Sequence, residues 1–76
     1  MPRLTPQSWK TLRKVFEAEG FRVERISGSH LVMTKPGVAR PVVIPMYPLV
    51  GIDIIQNNLR TAGLSRGRYL KILDRL

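Results

Sequence analysis

Few residues in this chain have chemistry to offer. His30, in the stretch Ile26-Ser27-Gly28-Ser29-His30-Leu31, is the only histidine; there is no cysteine, and five acidic residues are spread over 76 positions. Without cysteine there is no thiolate nucleophile, no disulfide framework and no cysteine-based zinc or iron–sulfur site. One imidazole and scattered carboxylates fall short of the clustered ligands that a metal centre needs. Glu17 and Glu19 lie two apart on a predicted helix and so do not face each other, which removes the paired-carboxylate chemistry of glycoside hydrolysis. The phosphate-cradling patterns GxxxxGK[ST] and GxGxxG are absent. Cleavage of an RNA phosphodiester survives this elimination. RNA brings its own nucleophile, the 2′-hydroxyl, so a protein need only move a proton and steady the charge on the phosphorane. An imidazole can take or give a proton at neutral pH, and lysine or arginine can hold the charge. From spacing alone, a histidine at the head of a strand is also open to a structural or merely solvent-facing role.

The charge balance points the same way. Thirteen Lys and Arg, nine of them Arg, stand against five Asp and Glu, for a net charge of +8. A polyanion suits such a surplus, because each neutralised phosphate releases condensed counterions. Arginine suits phosphate in particular, since its planar fork donates two parallel hydrogen bonds. The surplus also fits a solvated basic surface or an acidic protein; nucleic acid is the favoured partner. Hydrophobic residues make up 43% of the chain, enough to give one small domain over residues 1–76 a core, near the lower size limit. No apolar run approaches the ~18 residues of a membrane span, and the N-terminus lacks a signal-peptide core. The expectation is a soluble, cytoplasmic protein with no membrane partner.

Around these residues the sequence predicts six elements. Thr5 is the expected N-cap of a first helix with Pro6 at its first position. Trp9, Leu12 and Phe16 recur at helical spacing, with Val15 and Ala18 widening the stripe and Lys10, Arg13, Lys14 and Glu17 opposite. Gly20 ends that helix and Phe21 folds back. Residues 21–26, FRVERI, alternate as a strand with Arg22 and Glu24 facing away from Phe21 and Val23. Ser27-Gly28-Ser29 is turn chemistry. The next strand, 30–35, sets Leu31 and Met33 on one face and His30, Val32 and Thr34 on the other. Pro36-Gly37 turns the chain into a third strand, RPVVIP, bounded by prolines that cannot donate to a ladder. After the irregular MYPLVG comes a helix with Asp53 in its first turn, an Ile55-Leu59-Ala62 stripe, Arg60 near its end and Gly63 closing it. Ser65 caps a last helix, whose Tyr69, Ile72, Leu73 and Leu76 face inward. Its Arg68, Lys71 and Arg75 form a basic stripe, and Gly67 weakens its first turn. The sum is an α+β domain, α-β-β-β-α with a further short C-terminal helix, in which an antiparallel meander is covered on one face.

Taken in order, these segments resemble the HicA family of bacterial and archaeal toxins. Gly28-Ser29-His30 stands at the head of the second strand. Glu19-Gly20-Phe21 is similar to that family's helix–glycine–aromatic junction, RPVVIP to its proline-terminated third strand, and LRTAGLS (Leu59 to Ser65) to the close of its second helix. The resemblance covers roughly residues 5 to 70, and its specificity lies in the order and spacing of the four motifs. It implies a fold like the double-stranded-RNA-binding domain and a ribosome-independent, metal-independent mRNA interferase activity with no cofactor. In the family the histidine of the Gly-Ser-His string is catalytic, which maps onto His30. The implied protein partner is a HicB-like antitoxin that covers the histidine and the basic surface.

Two positions depart from the family's pattern. Many members carry a second histidine just after the third-strand proline, whereas here Met46 and Tyr47 follow Pro45. Tyr47 can donate a hydrogen bond from a similar place but cannot do imidazole chemistry near neutral pH. Asn58 stands where the second helix is usually apolar; buried without partners it costs about 1–3 kcal/mol, so a local shift or a water contact is expected. On this reading His30 is the candidate general acid or base and Gly28 permits the turn that presents it. The Ser29 hydroxyl either bonds the substrate phosphate or fixes the turn. Lys35 and Arg40 flank the second turn and Arg25 precedes the first, so these three are the expected phosphate contacts. Arg13, Lys14, Arg60 and Arg68 are candidates for a wider RNA surface. Two alternatives stay open: a non-catalytic RNA-binding module of the same architecture, reading A-form shape, and a protein-interaction domain whose basic surface meets only an acidic partner.

Overall fold

The computed structural model of the chain describes residues 4–76; the first three positions of the expected domain lie outside the described residues. Six elements follow in the expected order: α1 (Trp9–Ala18), β1 (Arg22–Ser27), β2 (His30–Thr34), β3 (Val42–Pro45), α2 (Ile52–Ala62) and α3 (Arg66–Asp74). The strands form one antiparallel sheet in the order β1-β2-β3. This is the α+β, double-stranded-RNA-binding-domain-like arrangement with an added C-terminal helix. Among the described residues no helix is long and apolar enough to cross a membrane.

Helix α1 begins later than its Thr-Pro pair predicts. Gln7 and Val50 exchange backbone hydrogen bonds at 3.2 and 2.7 Å, so the chain is still extended at residue 7 and cannot yet turn. Ser8 is the N-cap instead, its hydroxyl accepting from the Thr11 amide, and Thr5 serves only to accept from the Gln7 side chain. The first helical amide, that of Trp9, donates to the Tyr47 carbonyl at 3.2 Å. At the other end the Gly20 amide bonds Glu17 O and the Phe21 amide bonds Phe16 O. That paired pattern needs a left-handed residue, and Gly20 has φ +94°. Phe21 folds back so that its ring meets Phe16 edge-on, 5.5 Å between centroids.

The core lies between the helices and one face of the sheet. Leu12, Val15 and Phe16 from α1 meet Leu31, Met33, Val42 and Ile44 from the strands, with Ile55, Leu59, Tyr69 and Ile72 from α2 and α3. Val50 joins them from the irregular connection, which explains its bridge to Gln7. Ala18 is exposed, as is Leu76 at 57%, so the apolar stripes of α1 and α3 end sooner than expected. Trp9 is only partly buried against the core, with Lys10 and Arg13 over its ring. Three buried side-chain polar atoms lack a hydrogen-bond partner among the described residues: Arg13 Nε, Asn58 Nδ2 and the Tyr69 hydroxyl. Asn58 is buried and its Nδ2 finds no hydrogen-bond partner among the described residues, so the expected local relief is not provided by a protein group. The Tyr69 hydroxyl is likewise buried without a partner, and burial raises the pKa of that phenol above its ordinary 10.0.

Candidate active site

The site is built by a two-residue hairpin. Ser27 pairs with His30, leaving Gly28 and Ser29 as the loop. Gly28 has φ +59°, while no residue other than glycine is left-handed among the described residues. A positive φ at the first loop position and not the second is the pattern of a type II′ turn, whose twist matches that of the flanking strands. The turn is held from behind: the Met46 amide donates to the Ser29 carbonyl at 2.7 Å. His30 therefore sits at the first position of β2, opposite Ser27 on one side and Pro45 on the other.

Directly paired residues of an antiparallel ladder point to the same face. Leu31 and Met33 are buried toward the helices, so His30, Val32 and Thr34 point to the open face. Their partners fill out that face. Ser27 and Pro45 flank His30; Arg25 and Val43 flank Val32; Arg22 lies beside Thr34. His30 is exposed, and no hydrogen bond, ion pair or ring contact engages its imidazole among the described residues. The Ser29 hydroxyl is equally uncommitted, so it does not fix the turn; backbone bonds do. Gly28, Ser29, His30 and Arg25 are thus brought together at one end of the open face, with Glu24 as the neighbouring carboxylate, 3.8 Å from Arg25.

Arg25 reaches that face through an irregularity. Strict alternation from Arg22 would turn Arg25 toward the helices with Val23. The pairing instead shifts between Val23 and Arg25, where Glu24 is an extra residue opposite the partner strand. This β-bulge resets the parity, so that Arg25 joins Arg22 on the open face and Ile26 joins Val23 on the other. Alternation alone sets Arg22 on this face, although it was not among the expected contacts; it lies beside Thr34, further along the sheet from His30. A signal for the bulge was present: the apolar residues Val23 and Ile26 are an odd number apart, a spacing that an unbroken half-buried strand does not produce.

The other expected contacts lie elsewhere. Lys35 follows β2, about 17 Å from His30 at the strand's rise per residue. Its ammonium stands 5.8 Å from the centre of the Phe21 ring, with its stem close to Gly20. Arg40 precedes β3 at that same far end. Lys35 and Arg40 therefore do not share the immediate site with His30 and Arg25. Of the wider set, Arg68 bonds Glu19 at 2.6 Å and ties α3 to the end of α1, while Arg13 lies 3.6 Å from Glu17 along α1. Arg68 is structurally occupied, whereas the Arg13 pair is a loose one, like that of Arg25 with Glu24. Among the described residues no three or more His, Asp or Glu side chains gather as a metal-ligand group.

With this geometry in place, comparison with known proteins finds that the family model described as HicA toxin of bacterial toxin-antitoxin aligns with residues 9–64. The matched span runs from the first residue of α1 through the Gly-Ser-His hairpin to Leu64, two residues beyond α2. No curated protein matches the chain. No solved structure matches it either.

Proposed function

The chain belongs to the HicA toxin family, so it is the toxin of a toxin–antitoxin system with an antitoxin as its partner, and we propose that it is an endoribonuclease that cleaves mRNA with His30 as general acid or base. The observation that carries the proposal is the state of His30: exposed, with an uncommitted ring, on a rigid turn and on the same face as two arginines. The 2′-hydroxyl of the substrate attacks the adjacent phosphorus, forming a 2′,3′-cyclic phosphate and releasing the 5′-oxygen. His30 either removes the proton from the attacking hydroxyl or donates one to the departing oxygen; water exchanges the other proton. Arg25 faces the phosphate, where a donor aimed at the charge of the phosphorane lowers the barrier, and Arg22, beside Thr34 further along the same face, meets a neighbouring phosphate. The free hydroxyl of Ser29 is available to the same phosphate. Lys35 and Arg40, at the far end of the sheet, serve nucleotides further along the strand. The reaction so written needs no metal or cofactor.

The rest of the proposal follows from the same surface. An antitoxin of the HicB type would silence the chain by covering His30 and the arginines. Residues 1–76 act as one domain in the cytoplasm, where mRNA is found. The test is cleavage of an RNA oligonucleotide by purified wild type and His30→Ala. Expected are cyclic-phosphate ends from the wild type, resistance when the nucleotide before the cut is 2′-deoxy, and a loss of about 10²–10⁴-fold in rate for His30→Ala. Stability should stay within about 0.5 kcal/mol, as for other exposed positions. Equal cleavage by both proteins rejects His30 as the catalyst. RNA bound but uncut at neutral pH supports the non-catalytic RNA-binding module, a reading favoured only by the lack of a second imidazole beside Pro45.

A further inference from the structure

Beside the hairpin lies an aromatic side chain that neither the core nor the proton chemistry uses. Tyr47 is 47% exposed, although its backbone is fixed from several directions. Its amide donates to the Pro45 carbonyl at 2.8 Å, which makes residues 45–47 a γ-turn. Its carbonyl accepts from the Trp9 amide at the start of α1. The preceding amide, that of Met46, is bonded to Ser29 within the hairpin itself, and Pro48 follows at once. An exposed ring on so constrained a backbone leaves only its own torsions to be ordered on binding. Its place relative to the site is set by register. Pro45 is the cross-strand partner of His30, and paired Cα atoms lie about 5 Å apart. Two further residues put the Tyr47 Cα at most about 12 Å from that of His30.

We propose that Tyr47 is a base-binding site: its ring stacks on an unpaired nucleobase next to the phosphate held at His30, so that the chain prefers single-stranded RNA. The inference rests on the reading of the chain as an RNA-binding nuclease and adds the ligand class that the site selects. Arginines on the open face hold the backbone without regard to base pairing, whereas an aromatic platform rewards only a base free to leave its neighbours. Because every base has a π-face, the platform selects unpaired strand over duplex rather than one sequence over another. The phenol hydroxyl is not what the site requires, which separates this role from hydrogen bonding to the phosphate.

The test uses the full chain carrying His30→Ala, so that RNA is bound and not consumed. Affinity for a single-stranded RNA and for a duplex is measured by fluorescence anisotropy with Tyr47 intact, as Tyr47→Phe and as Tyr47→Ala. A 2-aminopurine probe in the single strand reports stacking. Expected is a loss of about tenfold or more in single-strand affinity for Tyr47→Ala, with probe quenching abolished. Tyr47→Phe should keep both, and duplex affinity should stay within about twofold in all three. Unchanged single-strand affinity for Tyr47→Ala overturns the proposal. So does an equal loss in Tyr47→Phe, which would assign the effect to the hydroxyl, and so does an equal loss of duplex binding. Thermal unfolding of each variant separates these results from damage to the γ-turn. If wild type fails to cut RNA while Tyr47→Ala still loses single-strand binding, the nuclease reading falls and the base site stands; cleavage by wild type with unaltered binding reverses the two.

Discussion

The two faces of the sheet come from the same three strands and have opposite duties. Toward the helices, Leu31, Met33, Val42 and Ile44 are shut away from water. Toward solvent, His30, Arg22, Arg25, Ser27 and Val43 are all exposed. Alternation provides both, since neighbouring residues of a strand must point apart, except at Arg25, which the bulge at Glu24 brings to the outer face. The inner face carries the free energy of folding, and the outer face is released from it. The imidazole proposed as catalyst stands on that outer face, where it need not be shut away from water. Val32 is the exception. It is only 5% exposed on the outer face, with Arg25 and Val43 as its partners on either side. Val32 is thus an apolar spot on the outer face, flanked by one charged and one apolar partner.

That contrast is open to attack from either side. The largest stability loss is expected for Met33→Ala on the inner face, about 2–5 kcal/mol by urea unfolding, because the closed core cannot collapse around the void. Val32→Ala should cost less, about 1.5–2 kcal/mol for the lost methyl groups, since the open face can close over the gap. Equal losses would mean that the outer face is a second core. Gly28→Ala should cost about 1–2 kcal/mol for a side chain in the left-handed region. A Cβ there meets nothing within 4 Å, so the penalty is confined to the backbone.

Tyr69→Phe tests the inner face by its polarity. Removing a buried, unpartnered hydroxyl should leave stability unchanged or raise it by about 1 kcal/mol at neutral pH. The wild type should then lose stability above pH 10. Its unfolded chain releases the phenol proton near the ordinary value of 10.0, while the folded state holds on to it, so below that pH the contribution is intact and above it the unfolded state gains. A pH titration of unfolding should show that alkaline fall in wild type and not in Tyr69→Phe. The smallest effects on the fold are expected from Arg22→Ala and Arg25→Ala, within about 0.5 kcal/mol. Each should nonetheless flatten the salt dependence of single-stranded RNA binding by about 0.7 in log–log slope. An unchanged slope would remove that arginine from the RNA path.

Much of this was legible in the sequence because it is written locally. Helical spacing at Leu12 and Phe16, alternation from Leu31 to Met33, and the turn residues Gly28 and Pro36-Gly37 each specify an element from within a few positions. The features that escaped are set by distant partners. Thr5 is as good a cap as Ser8 until Val50, more than forty residues away, holds Gln7 extended. Lys35 and Arg40 look like neighbours of the hairpin along the chain, yet a strand's length separates them from it. Arg25 was assigned to the site from its closeness in sequence to Gly28, and it reaches the open face only because the ladder slips at Glu24. Asn58 was legible as a misfit, but its lack of a partner is a fact of packing.

The slip at Glu24 also bears on the open borders of the sheet. β3 forms one border of the sheet and is four residues long, with Pro41 before it and Pro45 at its end. β1 forms the other, six residues with no proline and with Ile26 58% exposed. An open border of that length invites a strand from a second molecule, and a bulge with an outward charge is a recognised deterrent. Deleting Glu24 would leave every remaining residue of β1 on its present face while straightening that border. The expected outcome is a chain that folds as before but self-associates, which sedimentation would register as a rise in mass with concentration. One surplus glutamate thus aims an arginine and interrupts an open border of the sheet.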